Sequence, residues 1–76
     1  MTIKCSDIEN LKSTIESAFN TKPDVSDIGK SIYRINGLTC TIYDTETVLL
    51  QGKNVNQTKE HIINLVELIN HQNRNA

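Results

Sequence analysis

The strongest local signal in the chain is a hairpin pattern over residues 31–43, which read SIYRINGLTCTIY. Asn36-Gly37 lies between β-forming residues and favours a two-residue type I′ turn, because both residues adopt positive φ readily. With that turn, Ile35 faces Leu38, and the preceding residues pair with the following ones in order. The sequence therefore predicts two antiparallel strands with a defined register.

This register divides the side chains between an apolar face and a mixed face, since facing residues share one side of a sheet. The apolar face carries Tyr33, Ile35, Leu38, Cys40 and Ile42. The mixed face carries Ile32, Arg34, Thr39, Thr41 and Tyr43. A sheet with one apolar face needs a cover on that side, and we expect helices to supply it.

A second turn follows the hairpin, and its length decides which way the next strand points. A three-residue loop, 44–46, directs Val48 and Leu50 toward the apolar face. A two-residue loop, 45–46, would reverse the strand. The three-residue loop is the better interpretation because it turns two aliphatic side chains inward. The residues that it adds to the mixed face are Thr47, Leu49 and Gln51.

An amphipathic helix is predicted over roughly residues 7–19. Residues 6–9, SDIE, match the capping box, in which Ser6 would cap the first turn. Apolar residues then recur at three- and four-residue steps, as they do on one face of a helix. Pro23 forbids continuation of the helix, so residues 20–29 are expected to form a connecting loop.

A second helix is predicted over about residues 57–71, with Asn54 or Asn56 as its cap. Residues 72–76 are expected to form a polar, fraying tail. The predicted buried stripe of this helix consists of Ile62, Leu65, Val66 and Ile69, with Ile63 and Leu68 at its margins.

The predicted elements combine into one small α+β domain over residues 1–76. Residues 1–5 fit a short edge strand that points Ile3 inward. We therefore expect a three- to four-stranded antiparallel, curved sheet with two helices packed on one face. A chain of 76 residues of which 37% are apolar has enough material for one thin core.

Composition excludes several classes of protein. Eight basic and nine acidic side chains give a formal net charge of −1, so no strong overall field attracts polyanions or membranes. The longest apolar run, residues 48–50, is far too short to span a bilayer, and no secretory signal begins the chain. We therefore expect a cytoplasmic protein with reduced cysteines, Cys40 in the core and Cys5 a free thiol.

The sequence offers little for catalysis. His61 and His71 lie ten residues apart on one predicted helix and point in different directions. The chain contains no Gly-rich phosphate loop, zinc pattern or nucleophile elbow. We predict that it is not an enzyme and that it uses neither a metal nor a small-molecule cofactor.

Residues 43–53, YDTETVLLQGK, resemble the closing half of one repeat of the TATA-binding-protein-like fold. Gln before Gly is similar to the pattern in the substrate-binding N-terminal domain of bacterial type-three ribonucleases H. The order strand, helix, three strands, helix matches such a repeat. The resemblance implies that the mixed face, which the helices leave open, binds nucleic acid, with Leu49, Gln51 and Tyr43 at contact positions. One repeat is half of the family's saddle, so a second copy or a second domain would complete it.

The mixed face is thus the candidate ligand-binding surface, and it has one cation, one aromatic and several hydroxyl or amide groups. Its predicted contact residues are Arg34, Thr39, Thr41, Tyr43, Thr47, Leu49 and Gln51. The leading hypothesis is a non-catalytic module that binds a nucleic-acid duplex or an RNA–DNA hybrid.

Two alternatives stand beside this hypothesis. The balanced charge and the expected exposure of Leu49 and Ile32 favour a protein-interaction module, such as an inhibitor, an antitoxin-like or phage-defence factor, or a homodimer. A double-stranded-RNA-binding domain has a similar order of elements but needs basic residues at the start of its last helix. Here that segment offers only Lys53 and Lys59, beside Glu60.

Overall fold

The computed structural model describes residues 1–74 and is an α+β arrangement of five antiparallel strands and two helices. In chain order the elements are β1 (Thr2–Lys4), α1 (Ile8–Ala18), β2 (Val25–Asp27), β3 (Lys30–Ile35), β4 (Leu38–Tyr43), β5 (Thr47–Gln51) and α2 (Asn56–Arg74). The strands lie side by side in the order β1-β5-β4-β3-β2. The predicted α+β class is confirmed, but the expected number of strands was too low.

The β3–β4 hairpin has the predicted turn and register. Asn36 and Gly37 have φ angles of 50° and 87°, the positive values that a type I′ turn requires. The ladder runs from Ile35 opposite Leu38 to Lys30 opposite Tyr43 without a slip. The Asn-Gly pair was therefore sufficient to set the pairing of the central strands.

The turn between β4 and β5 has the three-residue form. Glu46 has a φ of 69° and donates its backbone N–H to the carbonyl of Tyr43 at 3.1 Å. Ile42 then lies opposite Val48, as the three-residue loop predicts. Glu46 takes the left-handed position that commonly ends a three-residue hairpin loop.

Two short strands complete the sheet at its edges. The predicted N-terminal strand is confirmed as β1, in which Ile3 lies opposite Val48 and points inward. Residues 20–29 are not wholly loop as expected, because β2 pairs with β3 in this segment. All three residues of β2 are exposed, so the strand has no apolar alternation by which it could be recognised.

The predicted capping box at α1 is wrong by one residue. Asp7, rather than Ser6, caps the helix, and its carboxylate accepts a hydrogen bond from the backbone N–H of Asn10 at 3.1 Å. Ser6 instead donates its backbone N–H and its hydroxyl to Oδ1 of Asn70, at 2.7 and 2.9 Å. The Ser6 side chain, which the capping-box pattern assigns to the start of α1, therefore bonds to α2 instead.

Helix α2 starts without either of the expected Asn caps. Asn54 has a φ of 57° and lies outside the helix, while Asn56 is its first residue. Val55 lies between them, and its carbonyl accepts the N–H of Lys59 at 2.8 Å. The helix continues to Arg74, beyond the predicted end near 71, and the last two residues of the predicted tail lie outside the described part of the chain.

Both helices pack on the apolar face of the sheet and leave the opposite face open. Leu11 and Ile15 of α1 are buried with the inward residues of the sheet. The buried residues of α2 are Ile62, Val66 and Ile69. All seven inward residues predicted for β3, β4 and β5 are buried: Tyr33, Ile35, Leu38, Cys40, Ile42, Val48 and Leu50.

One expected core position of α2 is more exposed than predicted, and both cysteines are buried. Leu65, which was predicted in the buried stripe of α2, is only half-buried. Leu68 lies outside the core, with 55% of its surface exposed. Cys5 and Cys40 are both fully buried free thiols, which confirms the core position of Cys40.

Candidate binding surface on the open sheet face

We call the side of the sheet opposite the helices the open face. The strand registers align its side chains in three rows that run across the sheet. The middle row contains Thr2, Leu49, Thr41, Ile32 and Val25. The first flanking row contains Gln51, Thr39 and Arg34. The second contains Lys4, Thr47, Tyr43, Lys30 and Asp27. All seven predicted contact residues therefore lie on this one face.

The middle row forms a largely aliphatic strip across the sheet. Thr41 is only 5% exposed although it lies on the side away from the helices. Its cross-strand neighbours, Leu49 and Ile32, are both half-buried and shield it from either side. A ligand that lies on this face would therefore contact mostly methyl groups at the centre and polar groups along the flanks.

The cations of the face stand in the flanking rows. Lys4 lies on β1, while Lys30 and Arg34 lie on β3. Lys4 and Lys30 share a row and are separated by three strand spacings, about 14 Å, and Arg34 lies about 13 Å further along β3. These three residues therefore form a wide triangle of positive charge around the aliphatic strip.

Carboxylates are absent from the outward positions of β1, β3, β4 and β5, four strands that the structure describes in full. The chain as a whole has nine acidic residues and a net charge of −1. Its acidic residues lie on the helices, in turns, and in and beside β2. On the open face, carboxylates therefore occur only in and beside the edge strand β2, where Asp27 lies opposite Lys30 and Asp24 pairs with Arg34.

Two of the three cations already have partners on this face. The guanidinium Nε of Arg34 lies 2.9 Å from Oδ2 of Asp24, and the two side chains are 70% and 54% exposed. Lys4 donates from Nζ to the hydroxyl of Thr47 at 2.9 Å. Because these contacts are exposed, an approaching anion can compete for either cation.

One aromatic residue, Tyr43, lies on the open face among the residues of the described strands. It is half-buried in the flanking row beside Lys30. Tyr33 points to the opposite side and is buried in the core. The face therefore has no row of aromatic rings on which successive bases could stack.

The buried thiols do not supply a nucleophile. Burial raises the pKa of the Cys40 thiol to about 12 and also raises the pKa of Cys5. Both thiols are therefore protonated at neutral pH, and a thiol is a much weaker nucleophile than a thiolate. Within residues 1–74, no three His, Cys, Asp or Glu side chains are grouped so that they would hold a metal ion.

The helices in the described part of the chain are too short or too polar to cross a membrane. No protein-family model, no curated protein and no solved structure matches the chain. The geometry of the open face is therefore the main guide to function.

Sequence reasoning missed four charged residues of this surface, which are Lys4, Lys30, Asp24 and Asp27. Lys30 would follow from extending the hairpin ladder by one pair, to Tyr43. Lys4 would follow from placing the N-terminal strand antiparallel to β5. Asp24 had no comparable signal, because it precedes a strand that lacks any apolar alternation.

Proposed function

We propose that this chain is a non-catalytic nucleic-acid-binding module and that its open face contacts the backbone of a duplex or an RNA–DNA hybrid. The observation that carries the proposal is a set of three cations on an open face whose carboxylates are confined to β2 and the residue before it. Three cations and no carboxylate occupy the outward positions of β1, β3, β4 and β5, in a chain whose net charge is −1. Phosphate contacts supply most of the affinity in such complexes, so this is the face that a polyanion would select.

The layout of the face favours a duplex over a single strand. Its cations lie about 13 to 19 Å apart at the periphery, where they can reach phosphates on different strands. Between them, Thr39, Thr47 and Gln51 offer hydroxyl and amide groups that can bond to phosphate or sugar oxygens. Single-strand binding usually depends on several stacked aromatic residues, and Tyr43 is alone.

We further propose that the arrangement is that of one TATA-binding-protein-like repeat. The placement of one helix after β1 and the other after β5 supports this, although the short strand β2 is additional to the three strands predicted between the helices. Gly52 supports it as well, since it ends β5 at the position of the terminal Gly in the family pattern. Under this proposal, a second copy of the chain would complete the saddle.

A second candidate function is binding of a protein partner, including another copy of the chain. The aliphatic middle row favours it, because Leu49, Ile32 and Val25 are aligned across three strands and each is at least partly exposed. The ion pair of Arg34 with Asp24 also reduces the charge that a polyanion would meet. Light scattering and recovery of a complex separate this candidate from the first.

The test is a titration of labelled duplex DNA, RNA–DNA hybrid and single-stranded DNA, each followed by fluorescence anisotropy. Two to three phosphate contacts predict a roughly hundredfold loss of affinity between about 20 and 150 mM salt. Lys30→Gln should weaken binding and flatten the salt dependence by about one contact. Lys59→Gln, on α2 and away from the open face, is the matched control and should bind like the wild type.

The proposal is wrong if the wild-type protein binds none of the three ligands at low salt. It is also wrong if Lys59→Gln weakens binding as much as Lys30→Gln does, because the charge of the whole molecule, and not of the open face, would then govern affinity. Absence of binding together with a dimeric mass in solution would favour the protein-partner candidate.

A further inference from the structure

The ion pair between Arg34 and Asp24 brings a second carboxylate to the cations of β3, in addition to Asp27 opposite Lys30. Asp24 lies immediately before β2, and its backbone N–H donates to the carbonyl of Ile32 at 2.7 Å. This bond fixes the backbone of Asp24 against Ile32 of β3. Ile32 lies two residues before Arg34. The carboxylate is therefore held in place by the backbone and does not depend on a flexible loop for its position.

The pair is also exposed and uses only part of the guanidinium. Nε contacts Oδ2 at 2.9 Å, and the Arg34 side chain remains 70% exposed. A carboxylate in this position offers the same kind of oxygen acceptor as a phosphate. Exposed ion pairs of this type contribute little stability, so the contact can exchange when a more highly charged anion arrives.

We infer that Asp24 is an autoinhibitory residue, whose carboxylate occupies the place on Arg34 that a phosphate of the ligand would take. The inference deepens and rests on the proposed function of the open face. A ligand that also engages Lys4 and Lys30 gains further contacts, and these offset the displacement of Asp24 from Arg34. Asp24 thus makes the face selective for extended polyanions over small anions and weakens all anion binding at Arg34.

The direct test observes Arg34 itself and does not require a nucleic acid. The ¹H–¹⁵N signal of the Arg34 Nε–H group is followed during titration with tripolyphosphate. Asp24→Asn should bind tripolyphosphate at Arg34 about two- to fivefold more tightly than the wild type, the range expected for removal of an exposed ion pair. Asp27→Asn is the matched control, because it removes the same charge from the neighbouring strand opposite Lys30.

A second arm repeats the comparison with the duplex that binds best. Asp24→Asn should tighten binding by a similar factor, whereas Asp24→Asn in an Arg34→Gln background should give no gain beyond that of Asp27→Asn. Equal effects of Asp24→Asn and Asp27→Asn in the tripolyphosphate titration would overturn the inference, since a general change in charge would then explain both.

The two proposals fail in different ways. A wild-type protein that binds no duplex at low salt refutes nucleic-acid binding, and the Arg34 signal still decides whether Asp24 competes with anions. A wild-type protein that binds duplex with the expected salt dependence, but whose Asp24→Asn variant gains no affinity over Asp27→Asn, refutes the autoinhibitory role alone.

Discussion

Tyr33 and Glu16 join β3 to α1 through one partly buried hydrogen bond, in which the phenol donates to Oε2 of the carboxylate at 2.7 Å. Tyr33 is 1% exposed and lies at the centre of the apolar face. Burial, and then the hydrogen bond and charge of Glu16, raise the pKa of Tyr33. The contact orients the first helix on the sheet and so helps to leave the other face open.

Removal of this hydroxyl should destabilise the fold while preserving its shape. We expect Tyr33→Phe to lower the free energy of unfolding by about 1.5 kcal/mol, because Glu16 loses its buried donor. Tyr43→Phe is the control, since the Tyr43 hydroxyl makes no hydrogen bond among the described residues, and it should change stability very little. Urea unfolding of both variants measures the difference, and equal losses would contradict this role of Glu16.

Gly52 is required because the end of β5 lies very close to the turn between β3 and β4. It has a φ of 154°, and a Cβ on it would lie 3.0 Å from both the carbonyl oxygen of Gly37 and Cγ2 of Val55. We expect Gly52→Ala to destabilise the protein by about 3 kcal/mol through backbone strain and overpacking.

Gly29→Ala separates these two causes. Gly29 also has a positive φ, 85°, but nothing lies within 4 Å of the position that a Cβ would occupy. This variant should therefore cost only about 1 kcal/mol, from the backbone alone. Thermal unfolding of the two variants gives the comparison, and a Gly52→Ala variant no less stable than Gly29→Ala would show that the close approach is unimportant.

The hairpin and both faces of the sheet were predictable because their information is local. Asn36-Gly37 sets the turn, and a period of two then assigns every side chain of β3 and β4 to a face. Four of the seven candidate contact residues follow directly from that alternation, and the three on β5 follow from the length of the second turn. The length of the second turn was decided correctly by asking which register buries aliphatic side chains at 48 and 50.

The parts that could not be predicted depend on contacts between distant segments. β2 forms because β3 offers a free edge, and its exposed residues Val25, Ser26 and Asp27 carry no pattern of their own. Ser6 does not cap α1 because it donates to Asn70, which is 64 positions away, and Asp7 caps the helix instead. The ion pair of Asp24 with Arg34 also depends on a contact between distant segments, because the pairing of β2 with β3 brings Asp24 beside Arg34.

Asn70 should therefore matter more than an exposed helix residue usually does. Its Oδ1 accepts two hydrogen bonds from Ser6, and its Nδ2 donates to the carbonyl of Lys4 at 3.0 Å. We expect Asn70→Ala to cost about 2 kcal/mol, since it removes three hydrogen bonds that join α2 to the start of α1. Asn64→Ala, at an exposed position of the same helix, should leave the stability unchanged, and equal urea midpoints for the two variants would refute the prediction.

Alkaline pH should destabilise the protein through Cys40. Burial raises the pKa of this thiol from an ordinary value of 9.0 to about 12. The unfolded chain therefore loses the thiol proton first, so the contribution is intact below about pH 9 and is lost as the pH rises toward 12. Between about pH 8 and 10.5 the loss from this residue amounts to about 2 kcal/mol.

Cys40→Ala isolates this effect under reducing conditions. The cavity that it creates lowers the stability at every pH, but its stability should fall less steeply above pH 9 than that of the wild type. Urea unfolding at several pH values gives both profiles. Parallel profiles would mean that the Cys40 thiol ionises as easily in the folded protein as in the unfolded chain.

The most direct test of duplex binding by the open face is to follow the methyl NMR resonances of the protein during titration with a duplex at low salt. Threonine methyls on the open face and isoleucine and valine methyls of the helices report on opposite sides of the molecule. Binding on the open face predicts changes in the methyl chemical shifts of Thr39, Thr41 and Thr47. It predicts no change at Ile62 and Val66. Shifts confined to the helix methyls, or none at any duplex concentration, would contradict it.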